Sequence, residues 1–274
     1  MPWQLSGIQG SFGAHTLEDV LSPGLDAQPL AAVDTAQCRI PGIGAEGSHE
    51  RLRAVIEPLL LPGQPNWVML PSSEQDQRWA WEDCFGDRAE IGFGRGWNAL
   101  AMSQLNRLGT TGRMIAARMT SPDEAGVEAV VALDWTPSDS GLELAFSLVD
   151  GRPEGGTDPG DLIRKGVETV SRPEALLCPG NGSDGYLEQL TPALPALGDW
   201  VQPEVRWVFP EALAGTLGVA GSLFGWAWLV QGYRLGEFTG STVVLAMDGG
   251  PLAGLSGVRP AGTGLSAPGS GGTG

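Results

Sequence analysis

Apolar residues recur at helical spacing in several segments of the chain, and these segments predict amphipathic helices. Between residues 52 and 60 the apolar positions fall on one helical face, after Ser48, whose hydroxyl is a candidate N-cap. The segment Trp97–Leu108 has the same pattern and is followed by Gly109, the residue type that most often ends a helix. An S-x-x-Q capping box at residues 72–75 predicts the start of another helix.

Short apolar runs bounded by turn residues predict strands between these helices. The predicted strands cover residues 67–70, 89–93, 127–133, 142–149, 175–178, 205–208, 243–247 and 252–258. Asp248-Gly249-Gly250 separates the last two and predicts a hairpin. At the N-terminus, residues 3–13 predict only a short strand among glycine turns. Because strands alternate with helices, the pattern predicts an α/β fold.

One long segment has no charged residue and admits two interpretations. Residues 212–233 are long enough to span a bilayer and contain the Gly221-x-x-x-Gly225 spacing of close-packed membrane helices. The alternative is a helix buried on all sides in an α/β core. We favour the buried helix, over residues 212–235, because glycines recur along it and the predicted hairpin that follows belongs in a sheet.

The composition excludes several classes of function. The chain of 274 residues has a formal net charge of −16, which opposes binding to nucleic acid or to an anionic membrane surface. Three scattered cysteines and two histidines give neither a disulfide framework nor the spacing of a zinc site. The N-terminus lacks the basic and apolar regions of a secretory signal. These features predict a cytoplasmic protein with no metal and no cofactor.

Two C-terminal segments resemble a known family of enzymes. The run EALAGTLGVAGSLFGWAWLVQGYRLGE, followed by STVVLAMDGGPLAGLSGVR, resembles the end of β-ketoacyl synthases of the thiolase fold. In that family a G-H-x-x-G-A-A-G-like element opens a long central helix, and a strand–turn–strand hairpin follows. Upstream, EALLCPGNGSDGYLEQL resembles the family's strand that ends in an A-H-G-T loop.

The resemblance implies a fold and a domain organisation. We expect a thiolase-like layered fold of the α-β-α-β-α type, truncated relative to a full ketosynthase, forming one domain over residues 1–260. Residues 66–135 would be a reduced first half and residues 158–260 the second half, whereas the first 65 residues match poorly. After Pro260 only small and turn-forming residues remain, so residues 261–274 are predicted to be a disordered tail.

The resemblance also implies that the catalytic side chains are missing. A ketosynthase needs a cysteine at a strand-to-helix elbow and two histidines that stabilise the oxyanion. The elbow here is Gly94-Arg95-Gly96-Trp97, without a cysteine. The position of the first histidine falls on or beside Asn181, and that of the second on Gly215 or Thr216. Cys178 is a possible neighbour of this vestigial pocket.

Three functions remain open on this basis. The resemblance implies a non-catalytic subunit, similar to a chain length factor, that pairs with an active ketosynthase in fatty-acid or polyketide-type biosynthesis. Shortened subunits of this kind occur beside aryl-polyene-type synthases, and an acyl carrier protein would be an indirect partner. The alternatives are a stand-alone acyl-thioester enzyme that uses Cys178 or Asn181, and a scaffold homodimer without a ligand.

The chain is rich in tryptophan, a residue type that is enriched both in cores and at interface hot spots. Of its ten Trp, those in or beside predicted elements include Trp79, Trp81, Trp97, Trp135, Trp200, Trp207, Trp226 and Trp228. Core packing and an association face are equally compatible with this distribution. Both interpretations therefore stay open: the side chains pack in the core, or one or more of them contribute to an interface.

Overall fold

The computed structural model describes most of the chain. The described residues are 2–13, 15–17, 21, 39–43, 47–120, 127–151, 159–170, 172–182, 188, 190–248 and 252–261. They form one mixed sheet and five α-helices. Residues 262–274, which belong to the tail that is predicted to be disordered, lie outside this set.

The strands and helices alternate as the sequence predicts. The strands are β1 (Trp3–Phe12), β2 (His15–Thr16), β3 (Asn66–Leu70), β4 (Glu90–Phe93), β5 (Gly112–Arg118), β6 (Ala129–Pro137), β7 (Leu142–Gly151), β8 (Ala175–Leu177), β9 (Arg206–Val208), β10 (Thr242–Ala246) and β11 (Leu252–Pro260). The helices are α1 (Ser48–Ile56), α2 (Arg78–Phe85), α3 (Trp97–Leu108), α4 (Pro159–Thr169) and α5 (Ala220–Leu235). Short 3₁₀ turns cover Glu57–Leu59, Ser72–Gln77, Thr191–Ala196, Gly198–Val201 and Pro210–Ala212.

The strand order reveals two halves with the same topology. The order across the sheet is β4-β3-β5-β6-β1-β7-β11-β10-β8-β9, with β2 paired to β1. Apart from β2, each half has five strands in the order 3-2-4-5-1, numbered from its own first strand. In each half the fifth strand, β6 or β11, is antiparallel to both of its neighbours. The halves meet where Trp3 of β1 pairs with Leu142 of β7.

Helices cover both faces of each half and create five layers. Helix α3 of the first half packs on β7 and β11 of the second, and α5 of the second half packs on β5 and β6 of the first. These two helices therefore form a shared central layer. Helix α1 covers the outer face of the first half, and α4 covers the outer face of the second. This arrangement is the predicted α-β-α-β-α architecture.

Gly254 permits the close approach between the central layer and the sheet. A Cβ atom at this position of β11 would lie 2.5 Å from the Cβ of Ala99 in α3. The central core between the halves contains Trp3, Met102, Phe224 and Trp226, each almost fully buried. The glycine thus lets α3 lie close against β11 beside this core.

Two sequence predictions about helix starts are wrong. Ser72 does not cap a helix with Gln75, because its hydroxyl bonds Asp248 Oδ2 at 3.3 Å and the segment Ser72–Gln77 is a 3₁₀ turn. The helix α2 begins later, at Arg78. Likewise the N-cap of α1 is Gly47, and Ser48 is the first helical residue.

The long apolar helix is shorter than predicted. It begins at Ala220 rather than at residue 212, because Gly215 and Gly218 adopt left-handed conformations with φ of +83° and +55°. By contrast, α3 has the predicted bounds, and Gly109 ends it with a φ of +61°. Within the described residues, no helix is both long and apolar enough to cross a membrane.

The N-terminal segment contributes more to the fold than its sequence predicts. β1 is a ten-residue strand, and it lies in the middle of the sheet between β6 and β7. It pairs with β6 along nearly its whole length. The first half of the molecule therefore starts at Trp3, ahead of the range 66–135 that the resemblance implies.

Candidate functional site

The predicted strand-to-helix elbow lies between β4 and α3. Gly94 turns the chain with a φ of +82°, and a Cβ atom there would lie 2.8 Å from Ser72 Oγ. The backbone N–H of Arg95 donates to Asp248 Oδ2 at 3.0 Å, which ties the elbow to the end of β10. The elbow is therefore held from both halves of the sheet.

The side chain at the elbow is a buried arginine paired with a buried glutamate. Arg95 and Glu211 are 1% and 2% exposed, respectively. The guanidinium binds the carboxylate through two parallel hydrogen bonds, Nη1 to Oε1 and Nη2 to Oε2, the second at 2.9 Å. A bidentate pair of this kind is the arrangement in which two opposite charges tolerate removal from water.

Two backbone amides complete the surroundings of the Glu211 carboxylate. The N–H of Gly180 donates to Oε1, and that of Leu217 donates to Oε2, both at 2.8 Å. Gly180 precedes Asn181, and Leu217 follows Thr216. The structure therefore brings the two loops with the predicted vestigial positions onto one carboxylate.

The predicted site residues lie around this ion pair. The backbone N–H of Gly215 donates to the backbone oxygen of Glu211 at 2.8 Å, and the backbone oxygen of Thr216 accepts from Arg118 Nη1. Asn181 lies in the loop after β8, next to Gly180, and is partly buried. Of these positions, Gly215 contacts Glu211 directly through its backbone, and Thr216 binds Arg118.

Cys178 is buried beside the ion pair. It is 3% exposed, and burial raises its pKa from 9.0 to about 12. Its surroundings disfavour the thiolate, which is the nucleophilic form of cysteine. At neutral pH the side chain is therefore an uncharged thiol.

The space around the ion pair is almost completely filled. A void of about 10 Å³ is lined by Arg95, Cys178, Glu211 and Ser222, with parts of β8, β10 and α5. That volume corresponds to roughly one water molecule. A second, polar cleft of about 340 Å³ lies on the outer side of the elbow, between Ser72, Arg118 and Asp248.

The sequence contained a signal for this pair that the prediction did not use. Arg95 is the only charged residue between positions 91 and 106, and Glu211 is the only one between 207 and 233. A single charge in an otherwise apolar segment must find a partner when that segment is buried. The two isolated charges have opposite signs and belong to elements of the two halves.

No histidine is among the described residues that line the void and the cleft at this site. His49 lies on α1, where its ring packs against Trp81 with 3.9 Å between centroids. Within the described ranges, no group of three His, Cys, Asp or Glu residues could hold a metal ion. The charged groups of the site include Arg95, Glu211, Asp248 and Arg118.

Comparisons with solved structures identify the fold. The oxazolomycin ketosynthase domain of Streptomyces albus aligns with 94% of this chain and 95% of its own, at a TM-score of 0.59 and 12% sequence identity. The ishigamide ketosynthase/chain length factor aligns with 95% of this chain and 99% of its own, at a TM-score of 0.57 and 12% identity. A tetronic acid condensing enzyme aligns over 94% and 99%, with a TM-score of 0.53 and 12% identity.

These similarities confirm the predicted fold class. The chain has the thiolase-like fold of ketosynthases, and the alignments run through both of its halves. No protein-family model matches the sequence, and no curated protein matches it either.

Proposed function

We propose that this chain is a non-catalytic, chain-length-factor-like subunit that pairs with an active ketosynthase. The observation that carries the proposal is the Arg95–Glu211 ion pair at the elbow where the family has its nucleophile. In this proposal the pair takes the place of the family's nucleophile, and the void beside it measures only about 10 Å³. The chain then contributes shape to a partner's acyl pocket in fatty-acid or polyketide-type biosynthesis, and an acyl carrier protein docks on the active partner.

Covalent catalysis needs a nucleophile that this site does not offer. Arginine cannot form an acyl thioester, and Cys178 is held as a buried thiol with a pKa raised to about 12. An oxyanion hole alone is worth about 10²–10³ in rate and cannot replace the covalent step. The roughly 10 Å³ void beside these side chains also has no room for an acyl chain.

The comparisons support a role in a ketosynthase assembly. One of the similar structures is described as a ketosynthase/chain length factor, and two others are a ketosynthase domain and a condensing enzyme. This chain has the same fold, and an ion pair occupies its elbow. Of the roles named in those three descriptions, the chain length factor is the one that this combination fits. The fold alone does not determine function, so the ion pair remains the main argument.

A surface suited to pairing lies at the end of the sheet beside the elbow. β4 is the terminal strand of the first half, and α2 packs against it, with the Arg78 guanidinium 5.1 Å from the centre of the Phe93 ring. On α2, Trp79 is 74% exposed. An open strand edge invites pairing with another chain, and exposed Trp is a typical interface anchor.

Co-expression with a complete ketosynthase from the same genomic neighbourhood tests the pairing. We expect a one-to-one complex on size exclusion, which Trp79→Glu disrupts. Val201→Glu changes a comparably exposed apolar residue on the second half and should leave the complex intact. Absence of a complex with the wild-type chain contradicts the proposal, and a homodimer that excludes the ketosynthase indicates a scaffold instead.

Incubation with acyl thioesters tests the absence of catalysis. The pure protein is mixed with acyl-coenzyme A and examined by intact-mass spectrometry. We expect no covalent adduct, whereas an active ketosynthase in a parallel sample becomes acylated. An adduct on Cys178 would overturn the non-catalytic assignment and favour a stand-alone acyl-thioester enzyme.

A further inference from the structure

A cavity of about 520 Å³ opens at the junction between the two halves of the molecule. It lies where β1 meets β7 and where α5 ends. Its lining comes from both halves and includes Trp3 and Leu5 of β1, Leu142 of β7, and Tyr233, Arg234 and Phe238. Its volume is within the range of small-molecule sites.

This cavity is separate from the filled elbow. Gly221, which borders the void beside Glu211, is near the start of α5, whereas Tyr233 is near its end. Twelve residues of α-helix separate them, a distance of about 18 Å. A ligand in the cavity would therefore not touch Arg95 or Glu211.

The aromatic walls of the cavity are fixed by their own contacts. Trp3 stacks on Trp135 with 3.8 Å between ring centroids. The Tyr233 hydroxyl donates to the backbone oxygen of Gly240 at 2.7 Å, and its ring packs edge-on against Phe238 at 5.6 Å. The walls are thus formed before any ligand binds, which lowers the entropic cost of binding.

The guanidinium of Arg234 offers hydrogen-bond donors at the cavity. Arg234 uses Nη2 to donate to the backbone oxygen of Leu5 at 2.7 Å, and its other guanidinium nitrogens have no hydrogen bond among the described residues. These remaining donors of Arg234 can pair with a ligand oxygen.

The lining of the cavity is positively charged, whereas the protein as a whole is negatively charged. No Asp or Glu is among the described lining residues, and Arg234 is their single charged group. The chain as a whole carries a net charge of −16. A local cation over an apolar, aromatic surface is complementary to a molecule with an apolar body and one negative group.

We propose that this cavity binds a small apolar organic carboxylate. Its ring or short chain lies against Trp3, Tyr233 and Phe238, and its carboxylate pairs with Arg234. The proposal does not depend on the pairing function, because it concerns a different part of the fold.

Naphthalene-2-acetate and its neutral analogue naphthalene-2-acetamide test the proposal by isothermal titration calorimetry on the full-length chain. We expect the acetate to bind and the acetamide to bind about tenfold more weakly or worse, since the charge-assisted contact is lost. Arg234→Gln should reduce affinity for the acetate to the level of the acetamide. Thr239→Trp, which fills the mouth of the cavity, should weaken binding of both probes.

Arg107→Gln is the matched control, because Arg107 also lies in the last turn of an α-helix and is exposed. This variant should bind both probes as the wild type does. Lack of binding of the acetate at millimolar concentration overturns the proposal. Equal affinity of acetate and acetamide, or an Arg234→Gln variant that binds like Arg107→Gln, overturns it as well.

Discussion

Arg95 and Glu211 occupy corresponding places in the two halves of the molecule and bind each other. Arg95 is the second residue after β4, the third strand of the first half, and Glu211 is the third residue after β9, the third strand of the second half. Their bidentate ion pair lies where the two halves meet around the central helices. The repeated topology therefore brings together one isolated cation and one isolated anion that are 116 residues apart.

Removal of the cation from this pair should be strongly destabilising. In Arg95→Met the Glu211 carboxylate keeps two backbone donors but loses its counter-charge in a buried site. We expect a loss of about 3–5 kcal/mol in the free energy of unfolding. Urea denaturation at pH 7, followed by tryptophan fluorescence, measures this loss.

Two further variants separate a buried charge effect from a general packing effect. Arg53→Met breaks the solvent-exposed pair of Arg53 with Glu57 and should leave the free energy of unfolding almost unchanged. The double variant Arg95→Met, Glu211→Met should be more stable than Arg95→Met alone, because no unpaired charge remains. Equal costs for Arg95→Met and Arg53→Met would contradict the assigned importance of the pair.

Two glycines of α5 should respond in opposite directions to the same substitution. A Cβ atom at Gly221 would overlap the Glu211 carboxylate, whereas a Cβ atom at Gly225 has Pro210 Cγ as its nearest neighbour, at 4.0 Å. Gly221→Ala should destabilise the fold by about 1–3 kcal/mol. Gly225→Ala should stabilise it by about 0.5–1 kcal/mol, because alanine is the better helix former.

Thermal and urea unfolding of both variants measure the difference. Each substitution adds one methyl group to the same helix, so each variant is the control for the other. Equal effects in the two variants would mean that Glu211 does not lie against the start of α5.

Local patterns were sufficient for most elements of the fold, and long-range contacts explain the failures. The bounds of α3 and the pairing of β10 with β11 follow from a helical stripe, a C-cap glycine and a turn between two apolar runs. β1 was underestimated because Gly7 and Gly10 resemble turn residues. In the structure a Cβ atom at Gly10 would lie 2.8 Å from the Val130 backbone oxygen, so this glycine permits close approach to β6.

The candidate site was only partly predictable for the same reason. The resemblance located the elbow and the loops at Asn181 and Thr216, because those are sequence-local features. It could not reveal that Glu211 bonds Arg95, Gly180 and Leu217 at once, since these residues meet only through the topology of the two halves. The isolated charges of Arg95 and Glu211 indicate that the two residues form a buried ion pair, but they do not indicate which loops surround that pair.

The two described cysteines should differ in reactivity toward iodoacetamide. Cys178 is buried with a raised pKa, whereas Cys84 is partly exposed. In a Cys38→Ser background at pH 8, peptide mapping should find Cys84 labelled and Cys178 modified at least about a hundredfold more slowly. In urea both should react at similar rates. Comparable labelling in the native protein would mean that the site next to Arg95 is open.

The raised pKa of Cys178 should also reduce the stability of the fold at alkaline pH. Burial raises this pKa from 9.0 to about 12, so the unfolded chain loses the thiol proton first. The contribution is fully present below pH 9 and is lost as the pH rises toward 12. Between pH 7 and pH 10 the wild type should therefore lose more unfolding free energy than Cys178→Ala, by an amount on the order of 1 kcal/mol.

Urea unfolding of both proteins at several pH values between 7 and 10 measures this difference as a change in slope. The cost of the smaller alanine side chain is constant across the series and cancels. Burial also raises the pKa of the Tyr233 hydroxyl, but this residue is present in both proteins and its contribution cancels in the same way. Parallel curves for the two proteins would show that Cys178 ionises as easily in the folded state as in the unfolded one, and the void beside Arg95 would then have to admit water.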